Sequence, residues 1–422
     1  MLAAGLGALY FVIGRKLRAT LDLLAYVVPV YAMAAAVCFF WAGMADLRIT
    51  GWPAGTWWAL AGLAIGPTLL GHTGFNWALR HVRAYVVSVI FLFEPLGATL
   101  LAVLVLGRTE IPGWNTLLGG AAILTGVWLS AVGVLCSGSG DVESCVGDPV
   151  LLTFWRSAMK PFQTLPLIED GVPEAFGFGD EEIALACASH GGTRAHVAIV
   201  ERMLAALEID AGALHCGAHV PFDADAAFQL RCAGSEPGRI HNNCSGKHAG
   251  MLALARHHGW DADGYWRLEH PVQERIREAL KAWMDIDPGD HEWALDGCGV
   301  PTPRLPLREM ARAYARLVRR GREGRRDAAA VVRAMTARPD LTSSPGRAPL
   351  VLMEATGGRL LAKEGAEGVL CLASVADDWG LAVKVEDGSL RAVGPAVVAV
   401  LEEADLITHS ERRALRVLQD LP

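Results

Sequence analysis

Charge is almost missing from the first third of this 422-residue chain. Residues 1–140 contain seven Lys and Arg and four Asp and Glu, whereas the rest of the chain contains 31 basic and 41 acidic residues. So few charges exclude an ordinary soluble domain for the first part. The second part carries a formal net charge of −10 and reads as an acidic soluble domain. We therefore expect no nucleic-acid partner.

Paired-cysteine motifs are also absent, because no Cys-x-x-Cys occurs. The nine cysteines are odd in number and irregularly spaced, which predicts reduced thiols rather than a disulfide framework. Residues 2–14 lack the basic flank and the small-residue cleavage site of a signal peptide. We therefore expect no cleavable signal peptide.

Long apolar windows dominate the first part instead. Five such windows follow one another, at residues 2–14, 23–45, 49–79, 84–107 and 114–134. One buried core helix can mimic a membrane span, but five in succession predict an all-α membrane bundle of five transmembrane helices.

Basic residues predict the orientation of this bundle. Five of them lie in alternate loops, whereas the opposite loops contain only Arg48 and Arg108; the five are Arg15, Lys16, Arg18, Arg80 and Arg83. The richer side is expected in the cytoplasm. An odd number of spans then places the second part in the cytoplasm, attached to a multi-pass protein of the inner membrane.

Motifs in the first part resemble one five-helix repeat of the EamA-type drug/metabolite transporter superfamily. They lie at residues 5–15, 76–80, 93–97 and 118–126, and the resemblance covers residues 1–135. Such transporters usually contain two repeats with the substrate path between them, so this chain is expected to be a half-transporter. A homodimer would restore the second half.

Three polar residues within the apolar windows are candidates for transport: Glu94, His72 and Asn76. Ionisable groups inside a membrane usually have a function. Alternatively, Glu94 lies near the interface or caps a helix that Pro95 kinks.

The second part begins with a polar segment rich in Gly and Ser. Residues 136–147 predict a flexible linker, and residues 148–422 a catalytic α/β (α+β) domain. Helices are predicted at residues 193–207, 246–258, 271–283, 305–320 and 395–404, and strands at residues 369–374 and 380–385.

Ser157-x-x-Lys160 is the most informative motif of this part. Residues three apart lie on one face of a helix, and a lysine can take the proton that makes a serine hydroxyl nucleophilic. This spacing is typical of serine enzymes that open amide bonds. Alternatively, Ser157 caps a helix and Lys160 lies in solvent.

Four further segments concentrate polar and small residues. Residues 188–192 present Ser189, a second hydroxyl for proton relay. Residues 241–250 contain Cys244, Lys247 and His248, which could ligate a metal or could form a capped loop before a helix. Residues 296–301 and 363–368 place Asp296, Cys298 and Lys363 at glycine-framed turns.

These motifs, in this order, resemble the asparaginase II family of the Rhizobium etli type over residues 140–410. The resemblance implies a fold similar to serine β-lactamases and glutaminases. It also implies hydrolysis of L-asparagine to L-aspartate and ammonia, with no organic cofactor.

The resemblance assigns roles residue by residue. Ser157 matches the nucleophile and Lys160 its base, while Ser189 and Lys363 match a second serine–lysine pair. Arg156, His248 and Asp296 match substrate-binding positions, with Asp296 at the α-amino group. Cys244, Lys247 and Cys298 match a zinc site that shapes recognition rather than activating water.

Two departures from the family pattern are visible. Val142-Glu-Ser144 runs almost directly into Gly147-Asp-Pro149, which predicts that the opening β-hairpin is missing, and residues 343–348 differ from the usual Gly-Thr-Gly turn. Three interpretations therefore stand beside one another. The chain is a membrane-anchored asparaginase, a half-transporter with a passenger or regulatory domain, or a non-functional gene fusion.

Overall fold

The computed structural model describes residues 22–45, 47, 49–65, 73–74 and 131–419. Contacts divide the chain into two compact units, with the boundary between Val127 and Trp128.

The first unit contains two described helices, α1 (Leu23–Met44) and α2 (Ala54–Leu63). Within the described residues one helix, Ala25–Met44, is long and apolar enough to span a membrane, with a mean hydropathy of 1.9. Its large side chains Phe39, Phe40 and Trp41 are exposed, as expected for a helix surrounded by lipid. The windows predicted at residues 2–14 and 84–107 lie outside the described residues.

The second unit alternates strands and helices. Its strands are β1 (Ala131–Ser137), β2 (Val142–Val146), β3 (Leu152–Phe154), β4 (Trp293–Leu295), β5 (Pro301–Pro306), β6 (Leu360–Glu364), β7 (Val369–Ser374) and β8 (Trp379–Val385). Its helices are α3 (Lys160–Glu169), α4 (Val172–Phe176), α5 (Asp180–Ala186), α6 (Arg194–Ala206), α7 (Ala224–Cys232), α8 (Ser245–His258), α9 (Pro271–Lys281), α10 (Leu307–Arg322), α11 (Arg326–Ala337), α12 (Pro339–Thr342), α13 (Ala348–Ala355), α14 (Val393–Glu403) and α15 (His409–Gln419). The predicted α/β class is confirmed.

A five-stranded antiparallel sheet organises this unit. Its strand order is β2-β1-β8-β7-β6, and a smaller sheet has the order β3-β5-β4. Side chains alternate across the large sheet, so that Leu361 and Cys371 join the core under α10 while Leu370 and Leu372 join the core under α13, α14 and α15. The sheet is therefore covered on both faces.

Gly380 shows how closely α10 packs on this sheet. A Cβ atom at this position would lie 2.4 Å from the Ala311 carbonyl oxygen and 2.6 Å from the Ala315 nitrogen. No side chain fits such a gap between two backbones, so glycine is required there.

The prediction of a flexible linker at residues 136–147 is wrong. Residues 136–147 lie mostly in β1, the turn after it and β2, and β1 pairs with β8 from Ala131↔Val385 to Ser137↔Trp379. The Gly/Ser cluster is the hairpin turn, in which Gly140 has φ +98°. β1 is buried along most of its length and therefore reads as a continuous apolar run, which explains why the apolar window 114–134 extends into it.

Most predicted helices lie within a few residues of the observed ones. Residues 193–207, 246–258 and 271–283 correspond to α6, α8 and α9. The strand predicted at residues 369–374 has the bounds of β7. These segments have clear apolar periodicity or clear caps, which is why sequence locates them well.

Candidate active site

Ser157 lies in a 3₁₀ turn (Arg156–Met159) directly before α3. Arg156 has φ +56°, a left-handed conformation that is unfavourable for a residue with a side chain. Contacts on several sides hold it there: its N–H donates to Thr302 Oγ1 at 2.8 Å, and its guanidinium pairs with Asp296 and Glu367. Backbone strain so firmly held marks functional sites.

Lys160 is the first residue of α3 and is fully buried. Its Nζ donates to Ser189 Oγ at 3.0 Å and to the carbonyl oxygen of Ala188. Its backbone N–H donates to the Ser157 carbonyl oxygen. Among the described residues its amine makes no hydrogen bond to the Ser157 hydroxyl, so the predicted pair is adjacent in the chain but not directly bonded.

Lys363 completes a chain of three polar side chains. Its Nζ donates to Ser189 Oγ at 2.9 Å and to the Glu364 carbonyl oxygen at 2.8 Å. The order Lys160–Ser189–Lys363 is therefore continuous and buried. Three residues from distant parts of the sequence meet at one hydroxyl.

Burial and the nearby charge of Lys160 lower the pKa of Lys363 to about 7. Two ammonium groups bonded to one hydroxyl repel each other, and desolvation disfavours the charged form of an amine. Lys363 is thus poised to exchange a proton near neutral pH, as a relay group requires.

Ser189 is placed by an irregular segment between α5 and α6. Its N–H donates to the Thr342 carbonyl oxygen at 3.1 Å, and the His190 N–H donates to the Asn243 carbonyl oxygen at 3.2 Å. The His190 ring bonds to Ser245 and Gly192, so this histidine has a structural role. The segment is therefore fixed on both sides by backbone contacts.

Gly365 allows the end of β6 to approach the Ser157 turn. A Cβ atom there would lie 2.8 Å from the Trp155 carbonyl oxygen. Gly246 has the same role at the start of α8, where a Cβ atom would lie 2.4 Å from the Leu185 carbonyl oxygen. The glycines in both motifs therefore permit close packing around the site.

The predicted zinc ligands come together. Lys247 Nζ donates to Cys298 Sγ at 3.0 Å, and the Cys244 thiol is hydrogen-bonded to the same sulphur. All three side chains are buried. Within the described residues no three His, Cys, Asp or Glu side chains cluster as a metal site, so any ligand set here includes the lysine.

One thiolate is stabilised in this cluster. The hydrogen bond from Cys244 and the charge of Lys247 lower the pKa of Cys298 well below its usual value, although burial opposes this. Burial alone would lower the pKa of Lys247, but the charge of Cys298 raises it above its ordinary value. Both pKa shifts favour the ammonium–thiolate form of the pair.

Asp296 follows β4 and lies between two cations. Burial alone would raise its pKa, but the charges of Lys247 and Arg156 lower it. Its Oδ1 accepts from Arg156 Nε and from the Gly297 N–H, each at 2.8 Å. Both bonds use the same oxygen, which leaves Oδ2 for a ligand.

His248 is buried in α8 and neutral, because burial lowers its pKa well below the usual value. Tyr265 Oη accepts the His215 N–H and lies 2.6 Å from His248 Nδ1. When the tyrosine hydrogen points to Nδ1, the ring proton lies on Nε2. That Nε2 is buried and has no hydrogen-bond partner within the part of the chain that the structure describes.

Sequence reasoning missed Thr302, Glu367 and Tyr265, which hold Arg156 and His248 in place. Their contacts join residues 17 to 211 positions apart, and no local pattern signals them. The transport candidates Glu94, His72 and Asn76 lie outside the described residues.

An α/β domain that sets a half-buried serine beside a lysine–serine–lysine chain has the arrangement of a serine amidohydrolase. The family model for L-asparaginase II matches residues 130–422. The chain belongs to the L-asparaginase II family.

A second family model, for the EamA-like transporter family, matches residues 1–132. Both resemblances inferred from the motifs are thereby confirmed, and the chain joins an EamA-like region to an asparaginase II domain. A comparison with curated proteins gave no match.

Proposed function

We propose that this protein is an L-asparagine amidohydrolase in which Ser157 is the nucleophile. The observation that carries the proposal is the buried Lys160–Ser189–Lys363 chain beside Ser157 in a member of this family. Ser157 would attack the side-chain amide carbon, release ammonia and leave an aspartyl ester that water hydrolyses.

The lysine chain supplies the base. With Lys363 neutral, Ser189 passes its hydroxyl proton to Lys363 Nζ and receives one from Lys160 Nζ. Lys160 is then neutral and takes the Ser157 proton as the carbon–oxygen bond forms. One of the protons now held by the lysines then passes through Ser189 to the leaving nitrogen, which departs as ammonia, and Lys363 is neutral again. The transfers between Ser189 and the two lysines follow contacts of 3.0 and 2.9 Å.

The substrate's charged groups have matching partners. Asp296 Oδ2 would accept from the α-ammonium group, and Arg156 would fix that carboxylate through its 2.8 Å bond. The unpartnered Nε2–H of His248 would donate to a substrate oxygen. A buried N–H without a partner costs free energy, so a substrate oxygen that accepts from it makes binding more favourable.

Cys244, Lys247 and Cys298 would hold a zinc ion. Sulphur and nitrogen donors suit zinc, and one thiolate is already favoured, although Lys247 must give up its proton to bind metal. When bound, the ion would shape substrate recognition beside Asp296 rather than activate water.

The chain would be a multi-pass protein of the inner membrane, with five spans and a cytoplasmic catalytic domain. The EamA-like match and the exposed apolar helix α1 support a membrane-embedded first part, and the basic residues of its loops favour the cytoplasmic side. The same match favours transport as a second function, with Glu94, His72 and Asn76 as candidates and a homodimer supplying the second repeat. The paired β1–β2 hairpin at the start of the catalytic unit argues against a non-functional fusion.

Ammonia release from L-asparagine by the purified full chain tests the proposal. Ser157→Ala should remove the activity, with a loss of about 10³-fold or more. Ser139→Ala, an exposed serine in the β1–β2 turn, is the matched control and should retain it. Full activity in Ser157→Ala would overturn the proposal.

A further inference from the structure

Two buried serine hydroxyls beside the site have no partner. The Oγ atoms of Ser343 and Ser344 make no hydrogen bond within the described part of the chain, and both residues are at least 97% buried. The neighbouring Thr342 differs, because its hydroxyl donates to the Pro339 carbonyl oxygen at 3.0 Å. Buried hydroxyls are normally paired, so two consecutive exceptions require an explanation.

The position of these two hydroxyls explains why they have no partner. The Thr342 carbonyl oxygen accepts the Ser189 N–H at 3.1 Å. Two residues further along both segments, a Cβ atom on Gly191 would lie 2.9 Å from Ser344 Oγ. Residues 342–344 therefore run beside residues 189–191, next to the hydroxyl at which the two lysines meet.

The chemistry around Ser189 is rich in donors, and the nearby carbonyl oxygens of Ala188 and Glu364 already accept from the lysines. Lys160 and Lys363 both direct N–H groups at Ser189 Oγ. A primary amide and the ammonia formed from it carry hydrogens that need acceptors. A serine hydroxyl oxygen has two lone pairs and can accept them.

We infer that the hydroxyls of Ser343 and Ser344 accept hydrogen bonds from the nitrogen of the substrate's side-chain amide and then from the departing ammonia. The inference rests on the proposed function. It predicts that the two hydroxyls favour primary amides over esters, because the leaving oxygen of an ester has no hydrogen to donate. Sites built to bind an N–H discriminate strongly against analogues that lack it.

The test compares L-asparagine with the β-methyl ester of L-aspartate in the full chain. In the double variant Ser343→Ala and Ser344→Ala, kcat/KM for the amide should fall about tenfold or more, because two neutral hydrogen bonds are lost, while the ester changes less than about twofold. Equal losses for both substrates would overturn the inference, since the hydroxyls would then contact a shared part of the substrate. No loss for either substrate would also overturn it.

Gly191→Ala provides a second variant that keeps both hydroxyls. Its φ is not in the left-handed region, so the backbone tolerates alanine, but the new methyl displaces Ser344 Oγ. Like the double variant, Gly191→Ala should lower the ratio of kcat/KM for the amide to kcat/KM for the ester. An unchanged ratio would count against the inference. Ser374→Ala is the matched control: that buried hydroxyl bonds to Asp377, so its loss should lower the unfolding temperature and leave the ratio unchanged.

Failure of the proposed function is distinguishable. If the wild-type chain hydrolyses neither substrate, the proposed function is wrong. The two compounds can then be compared by their binding to Ser157→Ala, which lacks the proposed nucleophile. Binding is measured as the rise in unfolding temperature that each compound causes. The amide should stabilise the protein more than the ester, and removal of Ser343 and Ser344 hydroxyls should abolish that difference; a difference that persists would contradict the inference.

Discussion

At the residue scale, Lys363 is the group most sensitive to pH. Its pKa lies at about 7 because it is buried beside Lys160, whereas a lysine in water titrates far higher. The relay begins only when Lys363 is neutral. kcat/KM for L-asparagine should therefore rise as pH increases through about 7 and then level off.

The lowered pKa of Lys363 also makes the stability of the protein depend on pH. A buried lysine with a depressed pKa binds its proton less readily than in the unfolded chain, so the free energy of unfolding should rise with pH above about 7 until the unfolded lysine titrates. Lys363→Met should remove this pH dependence and most of the activity. If the free energy of unfolding of Lys363→Met still rose with pH above about 7, Lys363 would not be the group that titrates there.

Asp296 offers a separate prediction about binding. Asp296→Asn removes the charge that would pair with the α-ammonium group, and a hydrogen bond to a charged group is worth about 1.5–3 kcal/mol. KM for L-asparagine should rise by about 10- to 100-fold, with a smaller change in kcat. Steady-state kinetics of ammonia release measure both.

Glu367→Gln is the control for Asp296. Glu367 is exposed and also pairs with Arg156 at 2.6 Å. If Asp296→Asn acted only by releasing Arg156, Glu367→Gln would raise KM as well. Equal effects of the two substitutions would remove Asp296 from the substrate site.

At the element scale, the β1–β2 hairpin decides where the catalytic unit begins. β1 lies between β2 and β8, and its side chains Val134 and Cys136 are fully buried. A chain that begins at Trp128 should unfold cooperatively as a soluble protein. A chain that begins at Asp148 loses β1 and exposes the edge of β8, which costs several kcal/mol of a total of about 5–15.

Chemical denaturation followed by circular dichroism compares the two truncated chains. The longer one should show a single transition and the shorter one should aggregate or unfold without a sharp transition. Equal stability of both would mean that β1 contributes little. That result would restore the boundary predicted from the Gly/Ser-rich segment.

Elements with local signals were predictable, and the site was predictable only in part. The left-handed Gly259 that ends α8, and the His270 cap and Pro271 that begin α9, are signals within the sequence itself, so the predicted bounds are nearly right. β1 was missed because a central strand and a membrane span are both continuous apolar runs. The lysine–serine–lysine chain follows from the motifs, but the contacts of Arg156 with Thr302 and Glu367 arise only when distant strands meet.

At the scale of the whole molecule, the chain joins an EamA-like region to a catalytic unit of the L-asparaginase II family. We expect the catalytic unit to face the cytoplasm. Cys145 tests this, because it is an exposed thiol in β2. In a background with Cys38→Ala and Cys232→Ala, it is the one exposed cysteine left among the described residues.

A membrane-impermeant maleimide should leave Cys145 unlabelled in intact cells and label it in inverted vesicles. Cys145→Ala in the same background shows how much labelling comes from the buried thiols. Labelling of Cys145 in intact cells would place the domain on the outer side and contradict the orientation given by the basic residues.

The most direct measurement of the central claim is the mass of the protein during turnover. Rapid mixing of the full chain with L-asparagine, followed by acid quench and mass spectrometry, should reveal an aspartyl group joined to Ser157, whereas Ser157→Ala should carry none. An aspartyl group on Ser189, or ammonia release at the wild-type rate from Ser157→Ala, would contradict the account.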